Sequence, residues 1–255
     1  MTRLYRIQDG AEARYVTERD GVWRRVEGDI FGAHSEGAAI SPDGLTLLAP
    51  VMPSKIVCVG LNYKDHAIEQ GKPLPPEPLL FIKPSTSVIG PNDAIAVPTW
   101  AGSIHHEGEL GIVIGKRAAN VPLQKAHEYI LGLTCVNDVT ARELQNKDGQ
   151  YTRSKGFDTF APVGPCIALG LDGRDLQVRC YVNGNVRQDS RTRELIFTIP
   201  ELIAYISKMQ TLLPGDIIST GTPSGVGPIV PGDTVTVHVE GIGALTNPVI
   251  ARSEA

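Results

Sequence analysis

Glu107 and Glu109 stand two residues apart in IHHEGELGIVIGK (104–116), where a polar opening runs into an apolar, β-branched stretch. Successive side chains of a strand alternate faces, so positions i and i+2 point the same way. Two carboxylates on one face at the mouth of a buried strand repel each other. One of them must hold a proton unless a positive group lies between them. A third acid, Asp138, closes the apolar run YILGLTCVND. Three hard oxygen donors with no cysteine among them suit Mg2+, with Mn2+ or Ca2+ as substitutes, better than zinc. Mg2+ held by three protein oxygens keeps its other positions for water or substrate, which makes such a set an open, working site. His105 and His106 adjoin the acids and would allow a mixed set, although HExxH and other zinc spacings are absent. Solvated acids at a strand edge are the competing reading of this spacing.

Other stretches add chemistry. In VGLNYKDHAIEQGK, His66 and Glu69 are spaced i, i+3 and meet on any helical turn. An acid beside a histidine orients the ring as a general base requires; a polar surface turn is the plainer alternative. Lys155 stands alone among small residues in YTRSKGFDTF. STGTPSGVG (219–227) is a glycine-rich loop after a strand, without the GK[ST] of a P-loop or a GxGxxG pattern, so it does not indicate a nucleotide. It could offer backbone N–H groups and Thr222 to a small anion. KDHAIEQGKPLPPEP (64–78) is rich in proline, glycine and charge with few apolar anchors, so it is expected to act as a mobile lid.

These residues need strands to position them. The chain has 255 residues, 27 glycines, 19 prolines, few aromatics and short β-branched runs, which favours strands and turns over long helices. RYVTERDGVWRRVEGDIFG reads as strand, Asp-Gly turn, strand. APVMPSK (49–55) is a proline-punctuated boundary. After it, KIVCVG, LLFIKP, ELGIVIGK, ILGLTCVND, GPCIAL, LQVRCYVNG, GDIISTG and TVTVHVEGIG are strand candidates. TIPELIAYISKM predicts a helix capped by Thr198, with Pro200 in its first turn and Leu202, Ile203, Ile206 and Met209 on the apolar side. PLQKAHEYILG predicts a second. The expected class is mostly β with a few helices (α+β).

A net charge of −4 gives no indication of a nucleic-acid or anionic-membrane surface. MTRLYRIQDG lacks the apolar core of a signal peptide, and no apolar run is long enough to span a bilayer. Cys58, Cys135, Cys166 and Cys180 lie far apart, mostly in apolar runs, and read as reduced core residues of a cytoplasmic protein.

Taken together, GLNYKDHAIEQG, LFIKPSTSVIGP, HHEGELGIVIGK, CVNDVTARELQ, RSKGFDTFAPVGP, YVNGNVRQDSRTRELIF and GDIISTGTPSGVG resemble, in order, the fumarylacetoacetate hydrolase family over roughly residues 52–250. The first 50 residues are similar to the small N-terminal domain of its bacterial 2-hydroxyhepta-2,4-diene-1,7-dioate isomerase and acylpyruvase-like branch. The resemblance implies a small N-terminal β domain (1–51) and a mixed β-roll catalytic domain (52–255), a divalent metal, usually Mg2+, and a homodimer. It implies Glu107, Glu109 and Asp138 as metal ligands, and His66 and Glu69 as the water-activating pair. Lys155 is implied as the substrate-facing lysine, and Thr222, Gly221 and Arg142 as substrate contacts. Glu143, where the family often has aspartate, and Gly156, where it often has a larger residue, depart from the pattern and bear on the pocket wall.

The implied substrates are 2-oxo acids bearing a second carbonyl or carboxylate, processed through a metal-stabilised enolate. Hydrolysis of a C–C bond in acylpyruvate- or fumarylacetoacetate-type diketo acids is the first expectation. Isomerisation or decarboxylation of 2-hydroxyhepta-2,4-diene-1,7-dioate-type substrates or of oxaloacetate, as in aromatic catabolism, is the second. A metal-binding protein without turnover is the third.

Overall fold

Residues 1–253 are described by a computed structural model in which strands predominate. A twelve-stranded sheet forms the spine. Along its main path the strands run His34–Ile40, Val22–Gly28, Glu12–Arg19, Thr2–Asp9, Ala161–Leu169, Ile130–Asn137, Gly108–Ile114, Ile217–Ser219, Lys55–Gly60 and Leu79–Pro84. Its central members are mostly apolar, and every residue of Gly108–Ile114, Glu109 included, is buried. A short continuous apolar run is what a strand covered on both faces requires.

A five-stranded sheet built around Gln177–Val182 and Thr234–Val239 packs against this spine. Those two strands alternate buried and half-exposed residues, as one-sided packing requires. Val178, Cys180 and Val237 share one core with Leu110, Ile112 and Leu133. A three-stranded sheet of Thr140–Ala141, Ile104–His106 and Gly227–Ile229 lies beside the acidic residues.

The N-terminal hairpin forms as its pattern predicts. Asp20 and Gly21 both have positive φ, 54° and 81°, the pair a two-residue primed turn needs. Thr2–Asp9 pairs antiparallel with Ala161–Leu169, so the first strands continue the sheet that holds the acids.

Among the described residues four α-helices interrupt the strands: α1 (Lys64–Glu69), α2 (Arg142–Asp148), α3 (Thr152–Lys155) and α4 (Ile199–Met209). Thr198 and Glu201 form a reciprocal capping box at the start of α4, and Leu202, Ile203 and Ile206 are buried. Met209, expected on the apolar side, is instead exposed, because α4 ends there and turns its last residue outward. The second predicted helix also differs: Leu123–Tyr129 is a 3-10 helix, and Ile130 onward is strand. Pro122 enters in extended geometry, and the Tyr129 carbonyl accepts a bond from Gly115 N–H across the sheet instead of continuing a helical ladder. Among the described residues no helix is long and apolar enough to cross a membrane. The four cysteines are free and buried.

Candidate active site

Glu109 is the second residue of the strand Gly108–Ile114, and Asp138 follows the strand Ile130–Asn137 directly. Glu107 lies in the break between Ile104–His106 and Gly108–Ile114, so it does not share a strand with Glu109. The gap is a single residue, and the two side chains still converge across it. The backbone there is clamped: Asp138 N–H donates to Glu107 O at 2.8 Å, and Glu107 N–H to Asn137 Oδ1 at 3.0 Å. One oxygen from each of Glu107, Glu109 and Asp138 lies within 4.8 Å of the others, and all three residues are buried. Neither adjacent histidine joins this group. His106 Nδ1 contacts Gln188 Oε1 at 3.3 Å, and His105 Nε2 contacts Ser103 Oγ at 3.1 Å.

Positive groups of the chain itself lie between the acids. Lys155 Nζ, at the end of α3, is 2.6 Å from Glu107 Oε2 and 2.6 Å from Asp138 Oδ2. Lys83 Nζ donates to Asp138 Oδ1 at 2.5 Å and to Val139 O at 3.0 Å. Arg142, the first residue of α2, donates to Glu107 Oε1 and, through its other terminal nitrogen, to Gln145 Oε1. Lys155 also lies over the Phe81 ring, 5.0 Å from its centre. Glu109 has only neutral partners: Ser219 Oγ donates to Oε2 at 2.6 Å and Gly221 N–H at 2.8 Å. Gly221 has φ +97°, and a Cβ there would lie 2.8 Å from Asn62 Cβ, so glycine is required for that amide to reach Glu109.

The environments split the two glutamates. Burial, then the nearby charge of Asp138, pushes Glu109 up to about 8. Burial also opposes ionisation of Glu107, but Lys155 and Arg142 outweigh it and hold that carboxyl down at about 2. Lys155, although buried, is held above the ordinary lysine value by Asp138 and Glu107. Burial lowers His106 to about 4.

A pH dependence follows for protein stripped of metal by EDTA. Between the ordinary carboxylate value of 4.5 and about 8, folded Glu109 keeps a proton that the unfolded chain has released. Its contribution to stability therefore falls as pH rises through that window, by on the order of a few kcal/mol. Glu107 acts oppositely: its contribution is full above 4.5 and is lost as pH falls toward about 2. Urea unfolding across this range should show the alkaline fall, and Mg2+ should suppress it. A Glu109→Gln variant with the same alkaline slope as the parent would assign the fall to other groups.

His66 and Glu69 meet on α1 as their spacing predicts. His66 Nδ1 lies 2.7 Å from Glu69 Oε2, and Glu69 Oε1 accepts Gly225 N–H at 3.0 Å. The carboxylate partner makes Nδ1 the protonated nitrogen, so Nε2 holds the lone pair. Gln70 Nε2 lies 2.7 Å from that atom. The ring is buried, and Glu69 faces solvent. Thr222 lines the same cavity, but its hydroxyl is engaged by the protein: it donates to Gly108 O at 3.0 Å and accepts from Gln188 Nε2 at 2.7 Å.

Of the residues given site roles in the sequence, His66, Glu69, Glu107, Glu109, Asp138, Arg142, Lys155 and Thr222 line one cavity of about 650 Å³, as does His105, whereas His106, Glu143 and Gly156 do not. Gly221 lies behind it, on Glu109. Three residues went unremarked in the sequence. Lys83 had one signal, a lysine inside the apolar strand LLFIKP. Asn62 stitches three backbones together, donating to Thr220 O at 2.7 Å and Phe197 O at 3.1 Å and accepting from Phe197 N–H at 2.8 Å. Gln188 joins Thr222, Pro223 and Gly108. Side-chain amides of this kind have no sequence pattern.

A mostly β fold with a buried, cation-lined acidic triad beside a His–Glu pair defines an enzyme with a site suited to a divalent metal. The profile of the fumarylacetoacetate (FAA) hydrolase C-terminal domain matches residues 55–250, and the chain belongs to that family. The structure of 2-hydroxyhepta-2,4-diene-1,7-dioate isomerase from Mycobacterium marinum is 43% identical, with TM-score 0.92, covering 100% of both chains. That of 5-carboxymethyl-2-hydroxymuconate delta-isomerase from Mycobacterium smegmatis is 47% identical, with TM-score 0.92, covering 98% of this chain and 100% of the other. Mitochondrial oxaloacetate tautomerase fahd2 of Xenopus laevis is 41% identical over 83% of this chain and 70% of its own length.

Proposed function

We propose that this enzyme moves a proton on a 2-oxo acid or its enol, isomerising or tautomerising a 2-oxo diacid or dienoate with Mg2+ held by Glu107, Glu109 and Asp138. The donor set fits the ion: it is all oxygen, and Glu109, which has no cationic partner, gains one. Bound there, the ion would supply Lewis-acid polarisation of the substrate's 2-oxo group. The observation that carries the reading is the buried Lys155 ammonium placed on the acids in the cavity that His66 lines.

The chain's own groups divide the work. Lys155 and Arg142 bind the carboxylate end, and Lys155 stabilises negative charge developing on the 2-oxygen. His66 Nε2 takes the proton from C3 and delivers it to the enolate oxygen in tautomerisation (or the reverse, from that oxygen to C3), or to the far end of a conjugated chain in isomerisation. Glu69 holds the ring by Nδ1, and Gln70 must release Nε2 before the proton moves. Residues 64–78 act as the lid over bound substrate. Isomerase and tautomerase relatives favour this reading over hydrolysis, the first expectation from the sequence. Hydrolysis is the second reading, favoured by the His66–Glu69 pair, which could equally activate water. A panel of oxaloacetate, 2-hydroxymuconate-type dienoates and acylpyruvates, with Mg2+ and with EDTA, tests both. Turnover of acylpyruvates alone would overturn the first reading, and full activity in EDTA would overturn the metal assignment.

The family match beginning at residue 55 supports the division into residues 1–51 and 52–255, and free buried cysteines support a cytoplasmic setting. A homodimer is supported by Leu79 and Ile82 on the edge strand Leu79–Pro84 and by Met209, each 43% exposed or more. Ile82→Glu should convert the dimer to monomer in light scattering; a monomeric parent protein would remove this inference.

A further inference from the structure

The acidic cradle brings its own counter-charge. Glu107 bonds both Lys155 and Arg142, and Asp138 bonds both Lys155 and Lys83. Lys83 is 0% and Lys155 2% exposed, so water does little to screen them. With all three acids ionised, as a bound cation requires, the carboxylates of Glu107, Glu109 and Asp138 are balanced by Lys83, Lys155 and Arg142. A divalent cation held there therefore leaves two uncompensated positive charges in the buried pocket. Such charge is unfavourable unless a partner of opposite sign enters with it.

We infer that the divalent cation and a dianionic chelator bind this cradle as a linked pair, so the site selects ligands with negative charge on both chelating oxygens. An enolate of a 2-oxo acid has that charge distribution; its neutral ketone does not. The inference rests on the metal site of the proposed function and adds to it a rule for recognition. The cradle would bind Mg2+ weakly alone and would discriminate between two forms of one substrate by charge at a single oxygen. Coupling of this kind is reciprocal: each partner strengthens the other by the same factor.

The test is calorimetric titration of EDTA-stripped full-length protein with MgCl2 in three arms: alone, with oxalate, and with oxamate. Oxamate has nearly the same shape as oxalate but one negative charge fewer. After correction for complexes in free solution, oxalate should tighten Mg2+ binding within the usual coupling range of about 5- to 150-fold. Oxamate should give only a minor part of that gain, and Mg2+ should tighten oxalate by the same factor. Lys155→Met and Arg142→Gln each remove one positive charge, so each should bind Mg2+ alone more tightly and show less gain from oxalate. Arg142 is at the pocket rim, its side chain 21% exposed, so that variant serves if Lys155→Met fails to fold.

Mg2+ binding that is equally tight in all three arms would overturn the linkage and leave the metal site standing. Equal gains from oxalate and oxamate would overturn the charge rule. Weaker Mg2+ binding by Arg142→Gln would contradict the charge balance. No Mg2+ binding in any arm would overturn both this inference and the metal site beneath it.

Discussion

Glu109→Gln will abolish metal-dependent turnover and leave the protein folded. The two consequences separate because Glu109 differs from its neighbours. Glu107 and Asp138 are held by lysine and arginine; replacing Asp138 leaves buried Lys83 without a charged partner and replacing either removes one of the two carboxylates on Lys155, changes of a kind that typically cost several kcal/mol. Glu109 is held by a hydroxyl and a backbone amide, and burial pushes it up to about 8. Glutamine has the shape of the protonated acid, and its carbonyl can accept from Ser219 and Gly221 as the acid does. What it lacks is negative charge for a cation. The expected result is activity at background with Mg2+, a thermal midpoint within a few degrees of the metal-stripped parent, and no shift on adding Mg2+. Retained Mg2+-dependent turnover in this variant would exclude Glu109 as a ligand.

The second large effect distinguishes the base from the enolate's support. Glu69→Gln keeps the helix turn and the bond to Gly225 but removes the carboxylate that fixes His66 Nδ1. Loss of a positioned base typically costs about 10²- to 10⁴-fold. Steps in which His66 moves a proton or activates water, the tautomerisation of oxaloacetate or attack on an acylpyruvate, should slow by that order. Decarboxylation of oxaloacetate, where present, consumes no activated water and should survive, since Lys155 is untouched. Lys155→Met should depress all of these, because each passes through the same enolate. Paired assays of both variants decide the matter: if Glu69→Gln slows decarboxylation as severely as the other reactions, His66 and Glu69 are not a dedicated base.

The legible part of this protein was its short-range order. The Asp20-Gly21 turn, the capping box at Thr198 and the apolar central strands are set by neighbours in the chain, and the structure has each of them. PLQKAHEYILG misled because its spacing suits a helix, while Tyr129 and Ile130 are claimed by the strand across from them. The acids were found by type and spacing, yet the expected geometry differed: Glu107 stands in a strand break. Lys83, Gln188 and Asn62 could not be found that way. Each acts on residues more than 30 positions distant, and a single polar residue does not announce a remote partner.

That break at Glu107 has a kinetic consequence. Ile104–His106 belongs to the small sheet and Gly108–Ile114 to the large one, so Glu107 sits on the seam where two separately paired sheets meet. The acids flank one strand pair, Gly108–Ile114 with Ile130–Asn137, while Lys83, Arg142 and Lys155 reach them from Leu79–Pro84, α2 and α3. A site completed by so many separate elements is expected to reach its full geometry only in the native state, as a low-φ region. A cation there acts as a rivet driven into a finished joint: Mg2+ should leave the refolding rate nearly unchanged and slow unfolding instead.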